Sequence, residues 1–285
     1  MSTVAAPLPP PGAAAGARTA FPWRVYLEFS RVSFVNILAF RLRYYTGILT
    51  YFINVTVYYF IWKAIYASAP TLAGFNFRQI VTYVAVGWMI RSLYFNNIDQ
   101  DMAQDVMEGK ISMVLIKPVS VQRMYLSQAL GETAFRAGML SVPVAAVLAL
   151  VFPVQPPRNA GYFILFLISL IGSVLLVATL NFIVGTCAIR LKSILGLLRA
   201  KFFVQELLSG LLIPMTMFPA PLQTLLAWLP FEHIGYTPML IYLGRLSYAQ
   251  ALGALAVQAL WVVALAAFGA WFWKAMSRKL TIHGG

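Results

Sequence analysis

The chain has 285 residues, of which 61% are hydrophobic and only 10% are charged. Soluble domains carry about 25% charged residues, so this composition excludes an ordinary soluble fold and indicates a protein that crosses a membrane several times. The net charge of +13 does not indicate nucleic-acid binding, because the basic residues cluster at the ends of apolar segments, where they set orientation in the membrane. The single cysteine, Cys187, excludes an internal disulfide framework.

The amino-terminal region divides into two parts. Residues 1–22 are rich in Ala and Pro and lack the basic region followed by an apolar run that a signal peptide requires, so we expect a disordered cytoplasmic tail. Over residues 23–45 apolar and charged residues alternate, and Arg24, Glu28 and Arg31 share one helical face. This pattern predicts an amphipathic helix that lies along the membrane surface.

Six apolar segments follow, and most approach the roughly 20 residues that a helix needs to cross a bilayer. They cover residues 46–66, 80–95, 126–152, 161–189, 202–218 and 249–273. The second segment is short and carries Arg91, so its helix is expected to start earlier or to continue into the charged stretch that follows. Residues 23–285 are therefore predicted to form a single all-α transmembrane domain with six spans.

A seventh apolar stretch, residues 222–243, is broken by Pro230 and Pro238 and contains Glu232 and His233. Because proline removes a backbone donor and kinks a helix, we predict two short re-entrant helices on the outer side rather than a full span. A seventh span would also place the basic carboxyl terminus outside, against the positive-inside rule. Both termini are therefore expected in the cytoplasm.

Half of the eight acidic residues lie between Asp99 and Glu108, in the stretch that joins the second and third apolar segments. An ionised group is costly in hydrocarbon, so this stretch is expected to be exposed to water. Asp101, Asp105 and Glu108 are spaced i, i+4 and i+7, which places them on one helical face, and Gly109 is a natural helix stop. A compact acidic helix is typical of a docking surface for a soluble partner; the alternative is an ordinary solvated loop helix.

Motifs for catalysis and nucleotide binding are missing from the sequence. It has no Gly-x-x-x-x-Gly-Lys-Ser/Thr loop, so the chain does not bind ATP by that route. Its two histidines, His233 and His283, are too few and too far apart for a metal site. Ser209-Gly210 resembles a feature of intramembrane serine proteases, but no histidine lies in a plausible partner span. That enzyme class and a secondary transporter are the rival hypotheses, although no convincing internal repeat supports the second.

Charged residues also occur inside or at the edge of the apolar segments, at Arg91, Glu132, Arg136 and Glu206. Charges in a membrane usually pair or face a cavity. Glu132 and Arg136 are spaced i, i+4, so we expect them to pair, and Glu132 is also a candidate partner for Arg91. These residues are candidates for an intramembrane charge network or for the lining of a pathway.

Several motifs resemble those of type-2 ABC exporter permeases. The run Met107–Ser120, MEGKISMVLIKPVS, is similar to their signature Gly-x-[Ile/Leu]-x-x-x-Leu-x-[Lys/Arg]-Pro-[Leu/Val]-Ser. The carboxyl-terminal His283-Gly-Gly285 resembles the tail of a bacterial branch whose permeases are encoded in pairs beside an ATPase. Further similarity, to the region before the last span, is found at Phe218-Pro219, Leu229-Pro230-Phe231, Pro238 and Tyr242-Leu-Gly244.

The resemblance implies half of an ATP-driven transporter, with an elbow helix, six spans, a cytoplasmic coupling helix between spans two and three, and re-entrant helices between spans five and six. ATP and Mg would bind to partner ATPase subunits, and a second permease subunit, identical or paralogous, would complete the pathway. The usual activity is export across the bacterial cytoplasmic (inner) membrane, and a lipid-like or hydrophobic drug-like substrate is favoured here because the spans carry few fixed charges. No catalytic residue, metal or cofactor is expected in this chain. The coupling residues on this pattern are Asp101, Asp105, Glu108, Gly109, Lys110, Lys117 and Pro118.

Overall fold

The computed structural model describes residues 23–39, 42–191, 194–211 and 213–278. The expected tail over residues 1–22 and the carboxyl-terminal motif with His283 lie outside the described residues. Two strands, β1 (Thr71–Leu72) and β2 (Phe75–Asn76), form an antiparallel hairpin. The helices are α1 (Trp23–Ala39), α2 (Leu42–Ile65), α3 (Phe77–Tyr94), α4 (Ile98–Met107), α5 (Ile111–Leu115), α6 (Val121–Arg136), α7 (Val142–Val151), α8 (Ala160–Thr186), α9 (Leu195–Leu208), α10 (Ala220–Ala227), α11 (Tyr236–Tyr242) and α12 (Tyr248–Ser277).

In the described part of the chain, four helical stretches are long and apolar enough to cross a membrane. They are Thr46–Ile65, Val121–Val151, Ala160–Ile189 and Tyr248–Ser277. They correspond to the first, third, fourth and sixth predicted spans, and the third runs from α6 into α7 through a π-helical turn. The chain is thus an all-α membrane protein, while the full six-span topology stays a prediction.

The second predicted span is represented by α3, which begins earlier than the sequence pattern indicated. A reciprocal cap sets this start: the Gln79 amide N–H donates to Asn76 Oδ1 at 2.9 Å, and the Asn76 amide N–H donates to Gln79 Oε1 at 3.1 Å. The helix ends at Tyr94 and a separate helix, α4, carries the acidic stretch. The second segment therefore does not continue into the acidic residues as one helix.

The fifth predicted span, residues 202–218, is not a single helix. The helix starts earlier, at the beginning of α9, and ends at Leu208. The backbone then turns at Gly210, which has a φ of +69°, and Pro214 follows. A positive φ favours glycine, and proline cannot continue a helix. Hydrophobicity alone predicted a span there because it does not register these two backbone constraints.

The predicted surface helix over residues 23–45 is shorter than expected, because α1 ends at Ala39. It packs along α6, where the Ser30 hydroxyl donates to the Ser127 carbonyl at 2.6 Å. A Cβ on Gly131 would lie 2.0 Å from the Ser30 carbonyl oxygen, so only glycine permits this close approach. The amino-terminal helix is thus held directly against the third predicted span.

The stretch over residues 222–243 contains most of α10 and all of α11, joined through the 3₁₀ turn Pro230–His233. This agrees with the expectation of two short helices; their re-entry into the membrane stays a prediction. Gln258 of α12 fixes this segment, since its amide donates to the His233 carbonyl at 2.8 Å and to the Ser169 carbonyl of α8 at 3.0 Å. Gly172 makes room for that amide, because a Cβ there would lie 2.5 Å from Gln258 Cδ.

Candidate functional site

The segment between α3 and α6 folds as two short helices, α4 and α5, rather than as one coupling helix. Gly109 separates them with a φ of +73°, and a Cβ at this position would meet nothing within 4 Å. The backbone turn, and not crowding, therefore requires glycine here, as the predicted helix stop implied. Lys117 and Pro118 follow α5 on the surface, and the Lys117 ammonium lies 5.7 Å from the centre of the Phe29 ring of α1.

Asp101 and Glu108 are exposed as expected and Asp105 is half-buried, but the expectation that the whole stretch is exposed to water is wrong for Asp99. This residue is 3% exposed, and its carboxylate accepts a hydrogen bond from Lys201 Nζ of α9 at 2.7 Å. The opposite charge of Lys201 offsets the cost of burying the carboxylate. Sequence reasoning missed Lys201 because it treated the acidic stretch as a separate surface.

Asp101 is exposed and Asp105 is half-buried. They line a cavity of about 270 Å³ between α1, α4 and α6, together with Lys117 and Glu132. The Tyr125 hydroxyl donates to Asp105 Oδ2 at 2.9 Å. Desolvation, followed by the charge of Glu132 and the other nearby carboxylates, raises the pKa of Asp101 to about 6.

Glu108, the third residue of the predicted acidic face, forms an exposed ion pair with Lys110, two positions further along the chain. Its carboxylate lies 2.5 Å from Lys110 Nζ and accepts a hydrogen bond from Gln104 Nε2 at 2.7 Å. These two donors lower the pKa of Glu108. Because the pair is fully hydrated, its contribution to stability is small.

The tip of the segment is apolar rather than acidic. Met107, Met113 and Ile116 are 72%, 65% and 82% exposed, whereas Ile111 and Val114 of α5 are buried against the rest of the protein. Exposed apolar side chains thus lie at the end of the segment, and we name Met107, Met113 and Ile116 the apolar tip.

The charged residues of the spans form two pairs. Arg91 Nε lies 2.9 Å from Glu206 Oε1 of α9, so the partner of Arg91 is Glu206 and not Glu132 as was considered from the sequence. The Arg91 guanidinium also lies over the Trp88 ring, 5.2 Å from its centre. Glu132 and Arg136 approach to 3.6 Å, which confirms the pairing predicted from their i, i+4 spacing.

A polar network that the sequence analysis missed connects α4 with α8 and α9. Asn181 of α8 donates to the carbonyl and side-chain oxygens of Asn96 at 3.0 and 2.9 Å, and Lys201 donates to Asn181 Oδ1 at 2.6 Å. The available signal was Asn181 itself, a polar residue within the apolar sequence of α8. Beside this network lies a cavity of about 550 Å³, bounded by the end of α3 and by α4, α8 and α9.

The serine and histidine side chains provide no catalytic pair among the residues with described positions. His233 Nδ1 lies 3.0 Å from Thr237 Oγ1, and the Ser173 hydroxyl bonds the main-chain carbonyl of His233 rather than its ring. The Ser209 hydroxyl donates to the carbonyl of Glu206. Within the described ranges no cluster of three or more His, Cys, Asp or Glu side chains could hold a metal ion.

Comparison with known proteins identifies the family. A family model described as "ABC-2 family transporter protein" matches residues 52–284, which include all but the first ten residues of α2 and every later helix. A search of curated proteins returns no match. Because the match covers most of the chain, the protein belongs to the ABC-2 transporter family and is a transmembrane permease component of an ABC transporter.

Proposed function

We propose that this chain is half of the membrane pathway of an ATP-driven exporter in the bacterial cytoplasmic (inner) membrane, with both termini in the cytoplasm. A separate ATPase binds ATP and Mg and contacts α4 and α5 of this chain. A second permease subunit, identical or paralogous, completes a pathway for a lipid-like or hydrophobic drug-like substrate. Family membership supports the transport role, and the apolar tip supports the site of ATPase contact.

The apolar tip is the observation that carries the proposed ATPase contact. Met107, Met113 and Ile116 project from a segment that also carries the exposed Glu108–Lys110 ion pair. An apolar centre with a polar rim is the usual anatomy of a protein–protein interface. Burying one such side chain stabilises a complex by about 1.5–3 kcal/mol, and flexible methionines adapt well to a partner surface.

Two buried or partly buried contacts would carry motion of this segment to the spans. Asp99 joins α4 to Lys201 of α9, and Asp105 joins α4 to Tyr125 of α6. We therefore assign Asp99 and Asp105 to transmission, and Met113 and its neighbours to contact with the ATPase. Closure of the ATPase would push α4 and α5 and would tilt α6 and α9 together.

The experiment is a double substitution at the tip, Met113→Glu with Ile116→Glu. Both residues are exposed, so insertion into the membrane should stay normal. Loss of two apolar contacts should lower ATPase binding by at least about tenfold, measured by copurification and by ATP-dependent transport. The matched control is Leu72→Glu, an exposed apolar residue in β1, on the connection at the other end of α3. Normal ATPase binding and transport in the double variant would disprove the proposed contact.

A further inference from the structure

We propose that the cavity of about 550 Å³ between α4 and α9 binds the uncharged, hydroxyl-rich headgroup of a membrane lipid. The inference rests on the proposed function, because it takes such a lipid to be the transported substrate. The volume of the cavity lies within the range of roughly 300–1,000 Å³ that is usual for small-molecule sites.

The chemistry of the lining favours hydroxyl groups. Each amide side chain offers both donors and an acceptor, so a set of amides can bond both the hydrogen and the oxygen of a hydroxyl group. The amide side chains in the lining are Asn96, Asn97, Gln100, Gln104, Asn181 and Gln205. Asn96 and Asn181 bond each other, and Gln104 bonds Glu108. The amides proposed to bond the ligand are therefore Asn97, Gln100 and Gln205.

The charges in the wall are already neutralised within the protein. Asp99 is paired with Lys201, and Glu206 is paired with Arg91. At the rim, Glu108 is paired with Lys110, and the side chain of Arg199 is exposed. Within the wall, a charged headgroup would have to displace an existing buried ion pair, which is costly, whereas an uncharged headgroup leaves these pairs intact.

Gln205 provides an independent indication of a ligand. It is 4% exposed and lines the cavity, and its Oε1 has no hydrogen-bond partner in the described part of the chain. A buried acceptor without a donor costs about 1–3 kcal/mol, and a ligand hydroxyl in the cavity would supply that donor. Asn97 and Gln100 line the same cavity, and neither appears in a side-chain hydrogen bond with the described residues.

The apolar part of the lining favours a lipid over a free sugar. Phe95, Leu195 and Phe202 contribute apolar surface to the cavity. Leu195 and Phe202 are also exposed on the outside of α9, as is the neighbouring Phe203. A headgroup in the cavity would thus have its acyl chains against an apolar helix surface, which a soluble sugar could not use.

The test measures lipid binding to the full chain, purified in a zwitterionic detergent because alkyl glycosides carry the headgroup in question. Glucosyl-dioleoylglycerol, dioleoylphosphatidylcholine and dioleoylphosphatidylglycerol have matched acyl chains and are compared by native mass spectrometry and thermal shift. We expect the glucosyl lipid to bind at least about tenfold more tightly than the other two. Methyl glucoside, which has no acyl chains, should not bind in the same concentration range.

Gln205→Leu should weaken binding of the glucosyl lipid by about tenfold without lowering thermal stability, because it removes a buried acceptor that has no donor among the described residues. The matched control is Gln128→Leu, which lies in the other cavity and should bind as the wild type does. Gln100→Leu, at an exposed position, should also weaken binding of the glucosyl lipid. This second variant tests the inference if the Gln205 variant does not fold.

Equal binding of the three lipids, or wild-type binding by both cavity variants, would overturn the inference. Equally tight binding of methyl glucoside would reassign the cavity to soluble glycosides. These measurements need no ATPase, so a failure here is distinct from a failure of the proposed ATP-driven transport, which copurification and transport assays report.

Discussion

Replacing Asp99 by Asn should destabilise the permease more than replacing Asp99 and Lys201 together. The two side chains meet at 2.7 Å and are 4% and 18% exposed, respectively. In Asp99→Asn the ammonium group of Lys201 loses its counter-charge in a poorly hydrated position. In the double variant Asp99→Asn with Lys201→Met, no unpaired charge remains.

The size of the effect follows from this geometry. Two unit charges 2.7 Å apart attract by about 6 kcal/mol at an effective dielectric constant of about 20. Part of that attraction compensates for desolvation of the two groups, so removal of one partner is expected to cost about 3–5 kcal/mol. For the double variant to lose less than Asp99→Asn alone, it should recover about 3–5 kcal/mol relative to the sum of the single losses, which is the cost of removing one partner.

The assay is thermal unfolding of the purified chain for Asp99→Asn, Lys201→Met and the double variant. The single variants should unfold at temperatures lower by on the order of 10 °C, and the double variant should lie closer to the wild type. Losses that simply add would show that the two residues act independently. An Asp99→Asn variant as stable as the wild type would refute the buried ion pair.

Three further outcomes are expected. Gly172→Ala should be destabilising because its Cβ would lie 2.5 Å from Gln258 Cδ, and Gln258→Ala in the same chain should relieve part of the loss in a thermal unfolding assay. Glu132→Ala and Arg136→Ala should each destabilise the protein more than the double substitution does. Each single change breaks the 3.6 Å pair and leaves one charge without its partner, whereas the double change removes both charges; equal, additive losses would contradict this. Since the folded-state pKa of Asp101 is raised to about 6 from its ordinary value, the folded protein holds this proton more tightly than the unfolded chain. Stability should then fall as the pH rises from about 4 to 6, and Asp101→Asn should flatten that dependence in unfolding measured across pH; because Asp101 is partly hydrated, the change should be small.

Local features of the chain were predictable because they depend on residues close in sequence. Apolar runs of sufficient length indicated the spans found at α2, α6 with α7, α8 and α12. The i, i+4 spacing of Glu132 and Arg136 predicted their pairing, and Gly109 predicted the end of α4. Residues three or four apart meet on any helix, whatever the rest of the fold does.

The pairing of distant charges was decided only by the tertiary structure. Arg91 pairs with Glu206 and Asp99 with Lys201, and more than a hundred positions separate the members of each pair. From the sequence, Glu132, and not Glu206, was named as the candidate partner of Arg91. Helix packing brings α9 against α3 and α4, and no pattern within one segment specifies that neighbour.

The direction in which α4 faces also required the fold. The spacing of Asp101, Asp105 and Glu108 correctly predicts a common side of a helix, but that side can turn towards water or towards the protein. Here α9 supplies Lys201 for Asp99 and α6 supplies Tyr125 for Asp105, so these two carboxylates have partners inside the protein, whereas Asp101 and Glu108 stay exposed. A helical pattern in the sequence predicts which residues lie on the same side of a helix. Packing against other helices determines which side is buried, because the partners that stabilise a buried charge come from elsewhere in the chain.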